Sequence, residues 1–253
     1  MSAVQSEDRG AVRILTLNRP ERRNALNLED RLELLEALRA ADRESLAIVL
    51  TGAGAVFCAG GDITSMSQDR SVAAHRLHVV GSIVEQLHGG DRPIVAAVEG
   101  GAYGLGLALA VGSDLVVAGR SATFSTSFAK IGLAPDTGLA YSLPFRVGRG
   151  RTRELLLTAR MVSADEAERI GMVDLLADDG AVLETAVASA QRLAELSAPM
   201  VAGVRRILHQ PDQSLQALLA AEAQIQVDLL AGPEFAEGRN AFLERRKPNF
   251  NRR

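Results

Sequence analysis

The run Gly100-Gly101-Ala102-Tyr103-Gly104-Leu105-Gly106 follows directly on the apolar stretch Pro93-Ile94-Val95-Ala96-Ala97-Val98 and opens into Leu107-Ala108-Leu109-Ala110-Val111. An apolar strand, a glycine turn and an apolar helix in immediate succession restrict the chain to folds whose strands are buried beneath helices. Glycines let backbone approach a ligand without intervening side chains. A helix starting at such a turn directs its free N–H groups and positive dipole end back toward that ligand. Phosphates and oxyanions are both served by this arrangement.

The rest of the pattern agrees with an α/β fold. Strands are expected over 11–17, 46–51, 115–118 and 122–125, with Asn18-Arg19-Pro20 and Gly52-Ala53-Gly54 as stops. Asn27 is a helix cap ahead of Leu28, Leu32, Leu35 and Leu38 at helical spacing, and a second helix is expected over 72–87. Ser163-Ala164-Asp165-Glu166 reads as a capping box with Gly171 as a stop, and Pro199 sits at the start of a later helix. Ligands in such folds gather at the C-terminal ends of strands, where both glycine loops fall. The expected division is a core over 1–197 and a helical oligomerisation region over 198–253, broken near Gly232-Pro233.

A net charge of -3 and the absence of basic tracts interleaved with aromatics argue against nucleic-acid binding. The basic cluster Arg245-Arg246-Lys247 and Arg252-Arg253 reads as a solvated tail. One cysteine excludes an internal disulfide, and Cys58 is expected to pack rather than react. No apolar run approaches the ~20 residues of a membrane span, and the polar N-terminus lacks a signal core, so the expectation is a cytoplasmic protein with no membrane partner. His75, His78, His88 and His209 form no metal-binding spacing, and no metal or separate cofactor is expected.

Gly52-Ala53-Gly54-Ala55-Val56-Phe57-Cys58-Ala59-Gly60-Gly61-Asp62-Ile63 is the second informative loop. Together with Asn18-Arg19-Pro20…Asn24-Ala25-Leu26-Asn27, the opening turn, Ser163-Ala164-x-Glu166-Ala167 and the C-terminal Ala241-Phe242-Leu243-Glu244-Arg245-Arg246-Lys247-Pro248-Asn249-Phe250, it resembles the crotonase (enoyl-CoA hydratase/isomerase) superfamily. That resemblance implies a ββα spiral core, a C-terminal helical trimerisation region, a homotrimer or dimer of trimers, and an acyl-CoA thioester as substrate. It places the two N–H donors of an oxyanion hole on Gly61 and Leu105. It further implies coenzyme A contacts from Arg23, Ala25, Ala59, Asp62 and Ile63, and from Phe242 and Arg245 of a neighbouring subunit.

The family's hydratases use two glutamates, one activating water and the other delivering a proton. Their positions match Ala108 and Phe128 here, and neither side chain moves a proton. Asp136, in Ala134-Pro135-Asp136-Thr137-Gly138, falls where the family's isomerases carry their single carboxylate. One carboxylate suffices to move a double bond or to open a ring epoxide, because the group that takes a proton also returns it. Asp136 is equally suited to capping the helix that follows, a role that would lower its pKa. Arg22 and Arg23 have a surface alternative. Asp114 is expected as a structural carboxylate and Glu99 in a turn. The acyl pocket is expected from side chains between Met66 and Leu87 and near Tyr141.

Three readings stay open on the sequence: a single-carboxylate isomerase, a hydratase or other thioester enzyme, and a non-catalytic acyl-CoA-binding trimer. A dinucleotide oxidoreductase does not fit, because Gly101-x-x-Gly104-x-Gly106 reverses the G-x-G-x-x-G spacing.

Overall fold

In a computed structural model describing residues 2–209 and 214–250, β1 (Val4–Arg9) and β2 (Val12–Leu17) form an antiparallel hairpin about Gly10. Arg252 and Arg253 of the basic cluster lie outside the described residues. β1 was not expected. It is an edge strand with Val4 as its only fully buried residue, so it carries no apolar run to read.

α1 (Leu28–Glu44) starts at Asn27, whose side chain accepts from Asp30 N–H while Asp30 accepts from Asn27 N–H. Such a reciprocal cap contributes roughly 1 kcal/mol. Its buried stripe runs through Leu34, Leu35 and Leu38, whereas Leu32 of the expected stripe is exposed. β3 (Ala47–Gly52) follows, then α2 (Arg70–Gly89), capped by Asp69 onto the N–H groups of Ser71 and Val72.

β4 (Ile94–Val98) leads into the glycine turn, which is not a simple connection. It contains β5 (Gly101–Tyr103), a short strand of a second sheet, before α3 (Leu105–Val111) begins. β6 (Leu115–Gly119) and β7 (Thr123–Ser125) repeat the pattern, β6 joining the first sheet and β7 pairing with β5. α4 (Leu139–Thr158), β8 (Val162–Ser163), α5 (Ala164–Arg169), β9 (Leu175–Ala177) and α6 (Val182–Ala194) complete this part. The helices α7 (Ala198–Leu208), α8 (Leu215–Ala231) and α9 (Pro233–Leu243) follow.

The first sheet has the order β1-β2-β3-β4-β6-β9 and is parallel from β2 onward; the second has the order β5-β7-β8. Successive strand residues face opposite sides. Val95 and Ala97 of β4 meet α6 through Val182, Ala186 and Ala190. Ile94, Ala96 and Val98 face the larger core that contains Leu50, Ile83 and Leu107. In the parallel register Leu17 pairs with Gly52 and Thr51 with Ala97, so the loops after β2, β3 and β4 leave the sheet along one edge.

Asp114 is structural, as expected. It accepts from Ile94 N–H at 2.7 Å and from the Arg205 guanidinium of α7. Arg205 is buried and also donates to the Leu87 and Gly90 carbonyls at the end of α2, and burial lowers its pKa to about 10. No described helix is long and apolar enough to cross a membrane.

Candidate active site

Three loops build the oxyanion side of the site, and one buried amide holds two of them. Asn24 is wholly buried; its Nδ2 donates to the Ala53 and Val56 carbonyls and its Oδ1 accepts from Arg19 N–H. The third loop is added by backbone pairing, Cys58 N–H to Gly101 O at 3.3 Å and Tyr103 N–H to Cys58 O at 3.0 Å. Cys58 is therefore a packing residue: it has no exposed surface, and burial pushes its thiol up to about 12.

This stitching brings Gly61 and Leu105 to one cavity of about 460 Å³. Gly104 has φ 52° and ψ -115°, a backbone conformation that favours glycine, and it turns β5 sharply into α3. Leu105 is the first helical residue, so its N–H has no intrahelical acceptor. Neither it nor Gly61 N–H meets an acceptor among the described residues. The Leu105 side chain packs in the core.

Asp136 lines the same cavity and is the sole carboxylate among the described lining residues. It does not cap α4: the N-cap is Gly138, and no side chain bonds to that helix start. The capping alternative raised by the sequence is thus not what the chain adopts. Asp136 is solvent-exposed, yet the surrounding protein disfavours its charge and raises its pKa above the usual value, against the opposing pull of Arg76 and Arg31. Phe128, in a 3-10 turn over Phe128–Ile131, lines the same cavity, and Ala108 is buried on α3.

The expected coenzyme A contacts divide. Arg23, Ala59 and Ile63 line the cavity, with the Arg23 guanidinium 5.5 Å from the Tyr103 ring centroid. Asp62 flanks it, accepting from Thr64 N–H and hydroxyl, and these bonds hold its carboxyl below the usual range. Ala25 is not among the lining residues, and its carbonyl accepts from Arg19. Phe242 and Arg245 are not among the lining residues of this chain, and Phe242 is 82% exposed on α9. Met66 and Val80 line the cavity as expected, but Tyr141 lines a separate groove with Phe145 and Leu157. Arg246 pairs with Glu237 and Glu244, and Lys247 with Glu195, so these basic residues are engaged within the chain.

Sequence reasoning missed Arg31 and Arg76, which also line the cavity. A signal was present. Arg31 precedes the buried Leu34 and Leu35 by three and four residues, and Arg76 precedes the buried Val79 and Val80 by the same steps. Each arginine occupies the core-facing stripe of its helix.

The sequence profile of the enoyl-CoA hydratase/isomerase family matches residues 7–253. The chain belongs to the enoyl-CoA hydratase/isomerase family. Its crotonase fold is shared with an enoyl-CoA hydratase from Polaromonas sp. JS666, at TM-score 0.93 and 33% identity over 98% of this chain and 99% of that one. Among curated relatives, a "Probable enoyl-CoA hydratase" of Rhodobacter capsulatus is 37% identical, covering 95% of this chain and 94% of its own length. The 1,2-epoxyphenylacetyl-CoA isomerase of Escherichia coli K12 is 34% identical over 99% of this chain and 98% of its own length. Membership in the enoyl-CoA hydratase/isomerase family makes this an enzyme of acyl-CoA thioesters, and relatives of both reaction types are similar to it over nearly their whole length.

Proposed function

We propose that this enzyme is an acyl-CoA isomerase that moves a double bond, or opens a ring epoxide, next to a thioester through an enolate. The observation that carries this reading is that Asp136 is the sole carboxylate among the described lining residues; the family resemblance puts the two hydratase glutamates at Ala108 and Phe128. Asp136 takes a proton from C2 of a 3-enoyl thioester. The C–H electron pair becomes the C1–C2 π bond and the carbonyl oxygen takes the negative charge. The N–H groups of Gly61 and Leu105 donate to that oxygen, each contributing on the order of 3 kcal/mol in the transition state. Asp136 then returns the proton at C4, and the double bond rests between C2 and C3. Arg23, Ala59, Asp62 and Ile63 hold the coenzyme A portion, and no separate cofactor enters these steps.

A hydratase reading is favoured by the names of relatives such as the Rhodobacter capsulatus protein. The two are separated by offering matched 3-enoyl-CoA and 2-enoyl-CoA thioesters. Conversion of the 3-enoyl substrate is expected to exceed hydration of the 2-enoyl substrate by about a hundredfold, the lower range of what a positioned acid–base pair contributes. Hydration at an equal rate would replace this reading with the second.

The reading extends to assembly. α8 buries no residue, and Leu215, Val227, Phe242 and Leu243 are exposed along α8 and α9. A homotrimer, or a dimer of trimers, would cover these surfaces and bring Phe242 and Arg245 to a neighbour's coenzyme A. Light scattering is expected to give three or six times the chain mass of 26.8 kDa; a monomeric mass would overturn the assembly.

A further inference from the structure

The isomerase steps use Asp136 and leave Arg31, Arg76 and Lys130 of the acyl cavity without a task, the first two of them with buried guanidinium nitrogens. Arg31 is 4% exposed, and Arg76 is half-buried beside it. Arg31 Nε and Arg76 Nε and Nη1 are buried with no hydrogen-bond partner among the described residues. No carboxylate oxygen among those residues lies within the 4.0 Å of an ion pair with either guanidinium, Asp136 included. Burying an unpaired charge is costly, and two like charges side by side add to that cost. Both guanidiniums border the cavity, and each sits on the core-facing stripe of its helix. Asp136 is near enough to interact with both through space, but one carboxylate against two guanidiniums leaves a surplus of positive charge.

We propose that the acyl group of the physiological thioester carries a carboxylate, which Arg31 and Arg76 bind inside the cavity. This rests on the reading of the cavity as the acyl pocket, and not on the isomerase steps. A carboxylate presents two oxygens in a plane, matching the paired N–H groups of a guanidinium. Its place relative to the thioester follows from Gly61: a methyl group on that residue would lie 2.7 Å from Arg31 Nη2. The arginine therefore sits beside the oxyanion donor, and a short dicarboxylic acyl chain bridges the two. Arg23 and Lys130 also line this cavity, but neither places a buried, unbonded N–H there. Burial and the neighbouring Arg76 lower the pKa of Arg31, and the opposing pull of Asp136, Cys58 and Asp30 does not offset them.

The test is calorimetric binding of saturated thioesters, which cannot undergo double-bond migration: glutaryl-CoA against pentanoyl-CoA and adipyl-CoA against hexanoyl-CoA, with free coenzyme A as reference. In at least one pair the diacid thioester is expected to bind about tenfold tighter or more, as hydrogen bonds to charged groups imply. Arg76→Gln and Arg31→Gln are each expected to bring that ratio close to one. Arg76 is the less buried, so its variant keeps the test intact if the Arg31 variant does not fold. Equal affinities within both pairs would overturn the proposal, as would a preference that survives substitution of Arg76. Arginines that served only to keep Asp136 ionised would leave the ratios at one. Failure of the isomerase reading would appear instead in turnover and would leave these binding ratios unchanged.

Discussion

Asp136→Asn is expected to lower kcat/KM for a 3-enoyl-CoA by about 10²- to 10⁴-fold, the range that a positioned general base contributes. Affinity for a saturated acyl-CoA should stay close to wild type, because the oxyanion donors are backbone groups. Turnover that persists in this variant would remove Asp136 from the chemistry. The wild-type rate should rise with pH through a pKa above 3.8 and level off once the carboxylate is ionised. Stability moves the other way. The folded state raises this pKa, so it binds the proton more tightly than the unfolded chain, and stability falls as pH rises through the folded value. Asparagine removes that penalty. The variant should therefore melt no lower than wild type at pH 7, with any gain shrinking toward acid. A melting point several degrees lower would instead identify a structural role.

The second large effect is expected from a residue that never touches substrate. Gly106→Ala would set a methyl group 2.4 Å from Cys58 O and 2.7 Å from Cys58 Cβ. Backbone bonds to Gly101 and Tyr103 fix Cys58, so it cannot step aside without opening the seam between the two loops. Overpacking of this kind costs about 1–3 kcal/mol of stability. Separating Gly61 from Leu105 should also cost about 10²–10³ in kcat, the effect of losing one oxyanion donor. Wild-type turnover in a folded Gly106→Ala protein would show that the spacing of the loops does not set the rate.

The strands that pass through the middle of the first sheet were legible because burial on both faces writes them as continuous apolar runs. β1 was not, since an edge strand needs no such run. β5 was hidden for another reason: three residues inside a glycine turn become a strand only through pairing with β7, far along the chain. Gly61, Leu105 and Asp136 were placed by residue-by-residue resemblance to the crotonase family, and the structure brings all three to one cavity. Arg31 and Arg76 went unread because an arginine on a helix is ordinarily assigned to solvent, although their three- and four-residue spacing to buried neighbours contradicted that. The acyl pocket was also expected to draw on side chains near Tyr141, whose direction the sequence does not fix. The turn into α4 carries Tyr141 instead to a different face, where its hydroxyl donates to His209 O.

Asn24 has a left-handed backbone, φ 56°, in addition to its three hydrogen bonds to surrounding backbone. Each demand alone admits several residues. Glycine accepts the backbone but brings no side chain. Aspartate accepts the backbone and the Arg19 N–H, but would turn lone pairs toward the two carbonyls that now receive protons. Glutamine has the right atoms on an arm one carbon too long. Of these four residues only asparagine meets every demand, so exchanging a single amide for a carboxylate would cost the chain both bonds from loop to loop without any break in its backbone.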